Sequence, residues 1–230
     1  MMTGTIKPIL CVVTSHPIRG DSGEPTGFAM LELTHPLAVF ESSNIPVEIA
    51  SIRGGHPPID FFDLSDPINA RFWNDKNFRM ALANSRVLDD LDPADYSAVF
   101  FAGGHGAMWD FAQNESVQEV IRQVWEGGGV VAAVCHGPAA LVNAKLSDKS
   151  YLVAGKKVAA FTDAEELEVN YEKVVPFLLA STLKKRGALH QPAANWSANI
   201  VVDGRLVTGQ NPASAQGVGL AIIDLLKGEG

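Results

Sequence analysis

Val130-Val131-Ala132-Ala133-Val134-Cys135-His136-Gly137 is the stretch from which the fold can be read. A continuous run of small and β-branched apolar residues marks a strand buried on both faces. The run passes without a break into a nucleophile-type residue, with Ala133 two positions before it and Gly137 two after. That spacing suits a sharp strand-to-helix turn, because bulky flanks would collide across the bend. Such an elbow lifts Cys135 to the carboxyl end of the sheet, where open α/β folds bind ligands. A helix starting beneath it would favour the thiolate, the reactive form, through its free N–H groups and its dipole.

Working outward, Ile9 to Val13, Val47 to Ile52 and Ser97 to Ala102 are further apolar strand candidates, and Lys157 to Phe161 is a fifth strand. Between them Gly27 to Phe40 reads as a mostly apolar helix. Ser116 to Glu126 has helical periodicity and stops at Gly127-Gly128-Gly129. A helix is expected from Val174 to Lys185. Asn199 to Thr208 reads as a hairpin with a type I′ turn at Asp203-Gly204, followed by a final helix over Ala213 to Leu226. Strands alternating with helices predict an α/β sandwich around a mostly parallel sheet. Residues 53–90, rich in Pro, Asp and aromatics, break the alternation and are expected to pack over one end of the sheet.

The chain has 230 residues, 47% hydrophobic and 19% charged, which fits one domain over 1–230. A net charge of −8 without a dense basic run disfavours nucleic-acid binding. The two cysteines, Cys11 and Cys135, cannot form a disulfide framework or a four-cysteine zinc site. The apolar run Pro8 to Val13 is too short for a signal peptide core or for the about 20 residues of a membrane span. The expectation is a soluble, cytoplasmic protein.

Cys11 lies inside a buried strand and reads as a core residue. His136 follows Cys135 directly, so contact between the two side chains needs a particular backbone bend. Asp163, Glu165 and Glu166 are candidates to orient the imidazole, or they simply favour the dipole of a helix start. Gly103-Gly104-His105-Gly106 follows the third strand; it either turns the chain tightly or presents N–H groups as an oxyanion hole with that of His136. Glu32 is the one acid in an apolar helix segment. It sits either on a narrow polar seam or inside, where burial would keep the carboxyl protonated.

Taken together, Thr26-Gly27 through Glu32 to His35-Pro36, Gly104-His105-Gly106, Val130 to Ala139, Phe161-Thr162-Asp163 with Glu165-Glu166, Asp203 to Gly209 and Asn211 to Ala215 resemble the ThiJ/PfpI superfamily. Within that class I glutamine amidotransferase-like group the resemblance is to the heat-shock chaperone-like glyoxalase III branch. It implies a flavodoxin-like sandwich with Cys135 as nucleophile, His136 as its partner, Glu166 orienting His136, and Glu32 bonding the sulfur. Gly104 and His105 would form the oxyanion loop with the His136 backbone; from their place before the hairpin, Trp196 and Asn195 are candidates to line the substrate pocket. The implied reaction turns a small α-oxoaldehyde, methylglyoxal, into D-lactate without glutathione, in a homodimer lacking metal or cofactor. Two alternatives remain at this point: a cysteine amidohydrolase or peptidase, and a stress holdase or oxidation sensor. A narrow pocket with a buried Glu32 would disfavour the hydrolase.

Overall fold

The computed structural model describes residues 6–228. Seven strands form the central sheet: β1 (Ile9–Val13), β2 (Val47–Ser51), β3 (Arg86–Val87), β4 (Ala98–Phe101), β5 (Val130–Val134), β6 (Ile200–Asp203) and β7 (Leu206–Gly209). Their order is β6-β7-β5-β4-β1-β2-β3, parallel except for the β6–β7 hairpin. Every residue of β1, β4 and β5 is buried, as the unbroken apolar runs require. Helices α1 (Met30–Ser42), α2 (Pro67–Asn74), α3 (Lys76–Ala83), α4 (Glu115–Glu126), α5 (Asp163–Glu168), α6 (Leu179–Lys185) and α7 (Ala215–Lys227) surround this sheet. The α1 and α7 helices pack against each other, and α7 also packs on β5 and β7. Among the described residues no helix is long and apolar enough to cross a membrane.

Several expectations need correction. Lys157 to Phe161 is no strand of the main sheet. Only Lys157–Val158 pairs, with Leu189–His190, and the following N–H groups go elsewhere: Ala159 donates to Thr208 Oγ1 and Phe161 to the Cys135 carbonyl. The helix expected from Val174 begins only at Leu179, since Pro176 disfavours helical backbone just before it. The α1 helix starts at Met30 because Phe28–Ala29 pair with Ile59–Asp60 as a short parallel ladder. The hairpin loop is Gly204-Arg205, and only Gly204 has positive φ, which is the II′ rather than the I′ pattern. Residues 53–90 hold α2 and α3, capped by Asp66 and Asp75, and return to the sheet as edge strand β3.

Candidate active site

β4 and β5 are neighbours, with Phe101 opposite Ala133. Their carboxyl ends therefore bring Gly103-Gly104-His105 beside Cys135-His136. The elbow has the expected form. Cys135 sits at φ +60°, a strained conformation for a non-glycine residue, and its N–H still bonds the Gly209 carbonyl at 2.9 Å. Gly137 is obligatory, because a Cβ there would lie 2.2 Å from the Phe101 carbonyl oxygen.

Cys135 Sγ lies 3.3 Å from His136 Nδ1. His136 Nε2 is 2.8 Å from Glu166 Oε2, and His105 Nε2 is 2.9 Å from Glu166 Oε1. One buried carboxylate thus holds two imidazoles. Burial works against its ionisation, but the bonds from His105 and His136 outweigh that and bring Glu166 down to about 2. An ionised carboxylate only accepts, so each Nε2 carries a proton and donates it. With Nε2 committed to the carboxylate, the other ring nitrogen of His136, Nδ1, is the one that faces the sulfur. Burial above all, with the neighbouring His136 ring adding to it, lowers His105 to about 4 and keeps it neutral; its Nδ1 has no protein partner.

Glu32 is wholly buried in the first turn of α1. Its Oε2 accepts from the Gly103 N–H at 2.9 Å, while the Gly103 carbonyl accepts from the Ala29 N–H at 3.1 Å, tying loop to helix. Burial pushes its carboxyl up to about 8, against the opposing bonds from Cys135 and Gly103. The expectation of a thiol lowered by a helix dipole is not met. The elbow leads into a five-residue 3₁₀ turn, Gly137–Leu141, rather than a long helix. Burial and the Glu32 charge raise the Cys135 thiol, and the N–H groups of Gly104 and His136 only partly offset them. Carboxyl and thiol thus titrate as a pair that keeps at least one proton at neutral pH.

Gly103→Ala tests this packing. An added Cβ would lie 2.5 Å from Glu32 Oε2, 2.6 Å from the Val134 carbonyl oxygen and 2.7 Å from the His136 nitrogen. Two of these are backbone atoms that cannot swing aside, so stability should fall by about 1–3 kcal/mol in thermal unfolding. Unchanged unfolding would show that the loop yields to an added methyl despite these contacts.

Above the sulfur lies a cavity of about 150 Å³, lined by Glu32, Gly104, His105, Cys135 and His136 and walled by Leu31, Phe61, Phe161, Val169, Trp196 and Pro212. The structure thus brings Glu32, Gly104, His105, Cys135, His136 and Trp196 around one cavity, with Glu166 behind the two histidines. It also separates the two adjacent acids. Glu165 is the N3 residue of a capping box with Thr162, and it further accepts from the Trp196 N–H, Gln210 and Asn211. Glu166 alone faces the histidines; Asp163 instead accepts from Ser181. Phe61 comes from the aromatic 53–90 segment and Phe161 from the stretch just before Asp163, whereas Tyr171, packed edge-on to His105, was not singled out from sequence. A larger groove of about 570 Å³ lies at the opposite end of the strands, beside Lys7, Ser97 and Arg205, away from this chemistry.

Known proteins share this arrangement of chain. The glutathione-independent glyoxalase HSP31 of Saccharomyces cerevisiae is 32% identical over 235 residues, covering 96% of this chain and 98% of its own. The crystal structure of glyoxalase III from Candida albicans superposes with a TM-score of 0.88 at 30% identity, over 95% of this chain and 97% of that one. The Rapid Encystment Protein 24 KDa of Francisella tularensis gives a TM-score of 0.93 at 38% identity, over 96% and 99%. Residues 25–225 match the family described as DJ-1/PfpI. With most of its length matched to that family and these relatives covered almost end to end at 30% identity or more, the chain belongs to the DJ-1/PfpI family.

Proposed function

We propose that this protein is a cysteine-dependent, glutathione-independent glyoxalase that converts methylglyoxal and water to D-lactate. One observation carries the reading: the Cys135 sulfur stands between two proton-exchanging groups, Glu32 and His136 Nδ1, beneath a small, mostly apolar cavity. Cys135 gives its proton to His136 Nδ1, and the sulfur attacks the aldehyde carbon. The carbonyl oxygen takes up that proton, giving a hemithioacetal, with the Gly104 and His136 N–H groups facing the developing charge. The ionised form of Glu32, a minority at neutral pH because burial holds its carboxyl at about 8, removes the proton from the former aldehyde carbon and leaves an enediolate. Glu32 returns that proton to the adjacent carbon while the hydroxyl proton passes to the neighbouring oxygen, giving a 2-hydroxyacyl thioester. Water adds to the thioester, the carbon–sulfur bond breaks, and lactate leaves as the sulfur recovers its proton. The cycle consumes one water and needs no redox partner.

The buried Glu32 and the narrow cavity favour this chemistry over peptide hydrolysis, which needs a groove beside the nucleophile. The proposal extends to a cytoplasmic location, in keeping with two unpaired cysteines, and to a homodimer, supported by the family resemblance. The test is direct: purified protein, methylglyoxal, no added thiol, and a stereospecific assay for D-lactate. Absence of lactate overturns the proposal.

Glu166→Gln should lower kcat/KM by about 10²–10⁴-fold, because an amide can donate as well as accept and no longer fixes both Nε2–H tautomers. The same change should alter acid stability. Glu166 is held below its ordinary value of 4.5, so its stabilisation is present above that pH and is lost as pH falls through about 2. Acid unfolding of the variant should show a shallower loss over that window. An identical acid limb would show that the carboxylate does not carry the two bonds.

A further inference from the structure

Phe61 and Trp196 stand on the rim of the cavity above Cys135, 57% and 42% exposed. Both adopt left-handed backbone, with φ +49° and +62°. That conformation is costly for a bulky side chain and persists only where its surroundings enforce it. Each is enforced in the same way, by a carboxylate that accepts its backbone N–H. Asp60 Oδ1 accepts from Phe61 at 2.9 Å, and Glu165 Oε1 accepts from Trp196 at 2.9 Å.

Both carboxylates are anchored in turn. Asp60 Oδ2 receives Thr26 Oγ1 at 2.9 Å and Arg19 at 3.1 Å, and buried Arg19 also lies over the Tyr171 ring that packs against His105. Glu165 receives Asn211 at 2.9 Å and both polar groups of Thr162. The Trp196 ring meets Phe161 edge-on at 5.6 Å, and Phe161 packs on His136 at 4.2 Å. The two tethers come from separate parts of the chain and hold aromatic rings at the mouth of one small space.

We infer that Phe61 and Trp196 are paired jaws that set the largest acyl group the Cys135 sulfur accepts. Methyl-bearing α-oxoaldehydes enter, and aryl-bearing ones are rejected at the rim. The inference deepens the glyoxalase reading and takes the identity of its substrates from it. The expected signature is a size preference that relaxes when either ring is removed.

Two measurements separate the inference from the reading beneath it. In the first, kcat/KM is compared for methylglyoxal and phenylglyoxal in the native protein, Phe61→Ala and Trp196→Ala. Because Ala is poorly suited to positive φ, Phe61→Asn and Trp196→Asn serve as second variants that remove the ring and tolerate that backbone. In the second, Cys135 alkylation by iodoacetamide and by N-phenyl iodoacetamide is timed by intact mass and peptide mapping, which requires no turnover. The preference for the smaller reagent or substrate should fall by about 10-fold in each variant, the scale on which pockets discriminate size. Relaxed alkylation without any turnover keeps the jaws and removes the glyoxalase reading. Turnover with unchanged ratios does the reverse. An alkylation ratio unmoved in the folded variants of either position, or a sulfur that neither reagent reaches in any protein, overturns the inference.

Discussion

Cys135→Ser is expected to abolish lactate formation, lowering kcat/KM by about 10⁴-fold or more while leaving the fold intact. The two side chains differ in size by little, and serine can occupy the same elbow at φ +60°. What changes is acidity and nucleophilicity. In the proposed mechanism the proton passes from a raised thiol to a neighbouring Nδ1 3.3 Å away. A serine hydroxyl in the same dry surroundings is a far weaker acid, and the resulting acyl ester would be a poorer leaving group than a thioester. Matching circular dichroism and unfolding curves for the two proteins would show that the loss is chemical. Turnover near the native rate would remove Cys135 from the reaction and the mechanism with it.

Glu32→Gln carries the second large effect, and it has two opposite signs. Activity should fall by about 10²–10⁴-fold, because an amide cannot take the proton from the hemithioacetal carbon. Stability should rise at alkaline pH. The folded protein holds Glu32 at about 8 against an ordinary 4.5, so between those values it binds a proton that the unfolded chain has lost. Stability is therefore undiminished below pH 4.5, falls as pH climbs toward 8, and stays reduced beyond it. A displacement of that size sets a ceiling of about 5 kcal/mol, and the coupled Cys135 proton reduces what is realised to a few kcal/mol. Glutamine keeps an oxygen for the Gly103 N–H and an N–H for the sulfur, so it retains the contacts without the charge. Urea unfolding at pH 5 and pH 8.5 is the measurement. Native and variant curves with equal pH dependence would show that Glu32 is not held protonated.

The parts of this molecule legible in the sequence are those where a single physical demand dominates. Val130 to Val134 must be apolar throughout because it is covered on both sides, and the small residues around Cys135 follow from an elbow whose Gly137 has no room for a Cβ. The β3 edge was not legible. It is two residues long, and Arg86 points to solvent, leaving no periodicity to detect. The α2 and α3 helices are eight residues each and were hidden among aromatics, although Asp66 before Pro67 and Asp75 before Lys76 are cap signals.

The choice between Glu165 and Glu166 was open on adjacency alone. Thr162 with Glu165 three residues later is itself a capping-box spacing, which commits the first acid to backbone N–H groups and leaves the second for the histidines. The role of His105 in sharing Glu166 had no local signal. It arises because parallel strands β4 and β5 end side by side, which spacing along the chain does not reveal.

The rim residues are fastened through the main chain rather than through their rings. A tether of that sort is indifferent to which side chain projects from it, so evolutionary drift at positions 61 and 196 can proceed with the scaffold unchanged. Left-handed backbone biases that drift toward glycine, asparagine and aspartate, which are all smaller than the present rings. Substitutions that suit this backbone at positions 61 and 196 therefore widen the mouth of the cavity more readily than they narrow it.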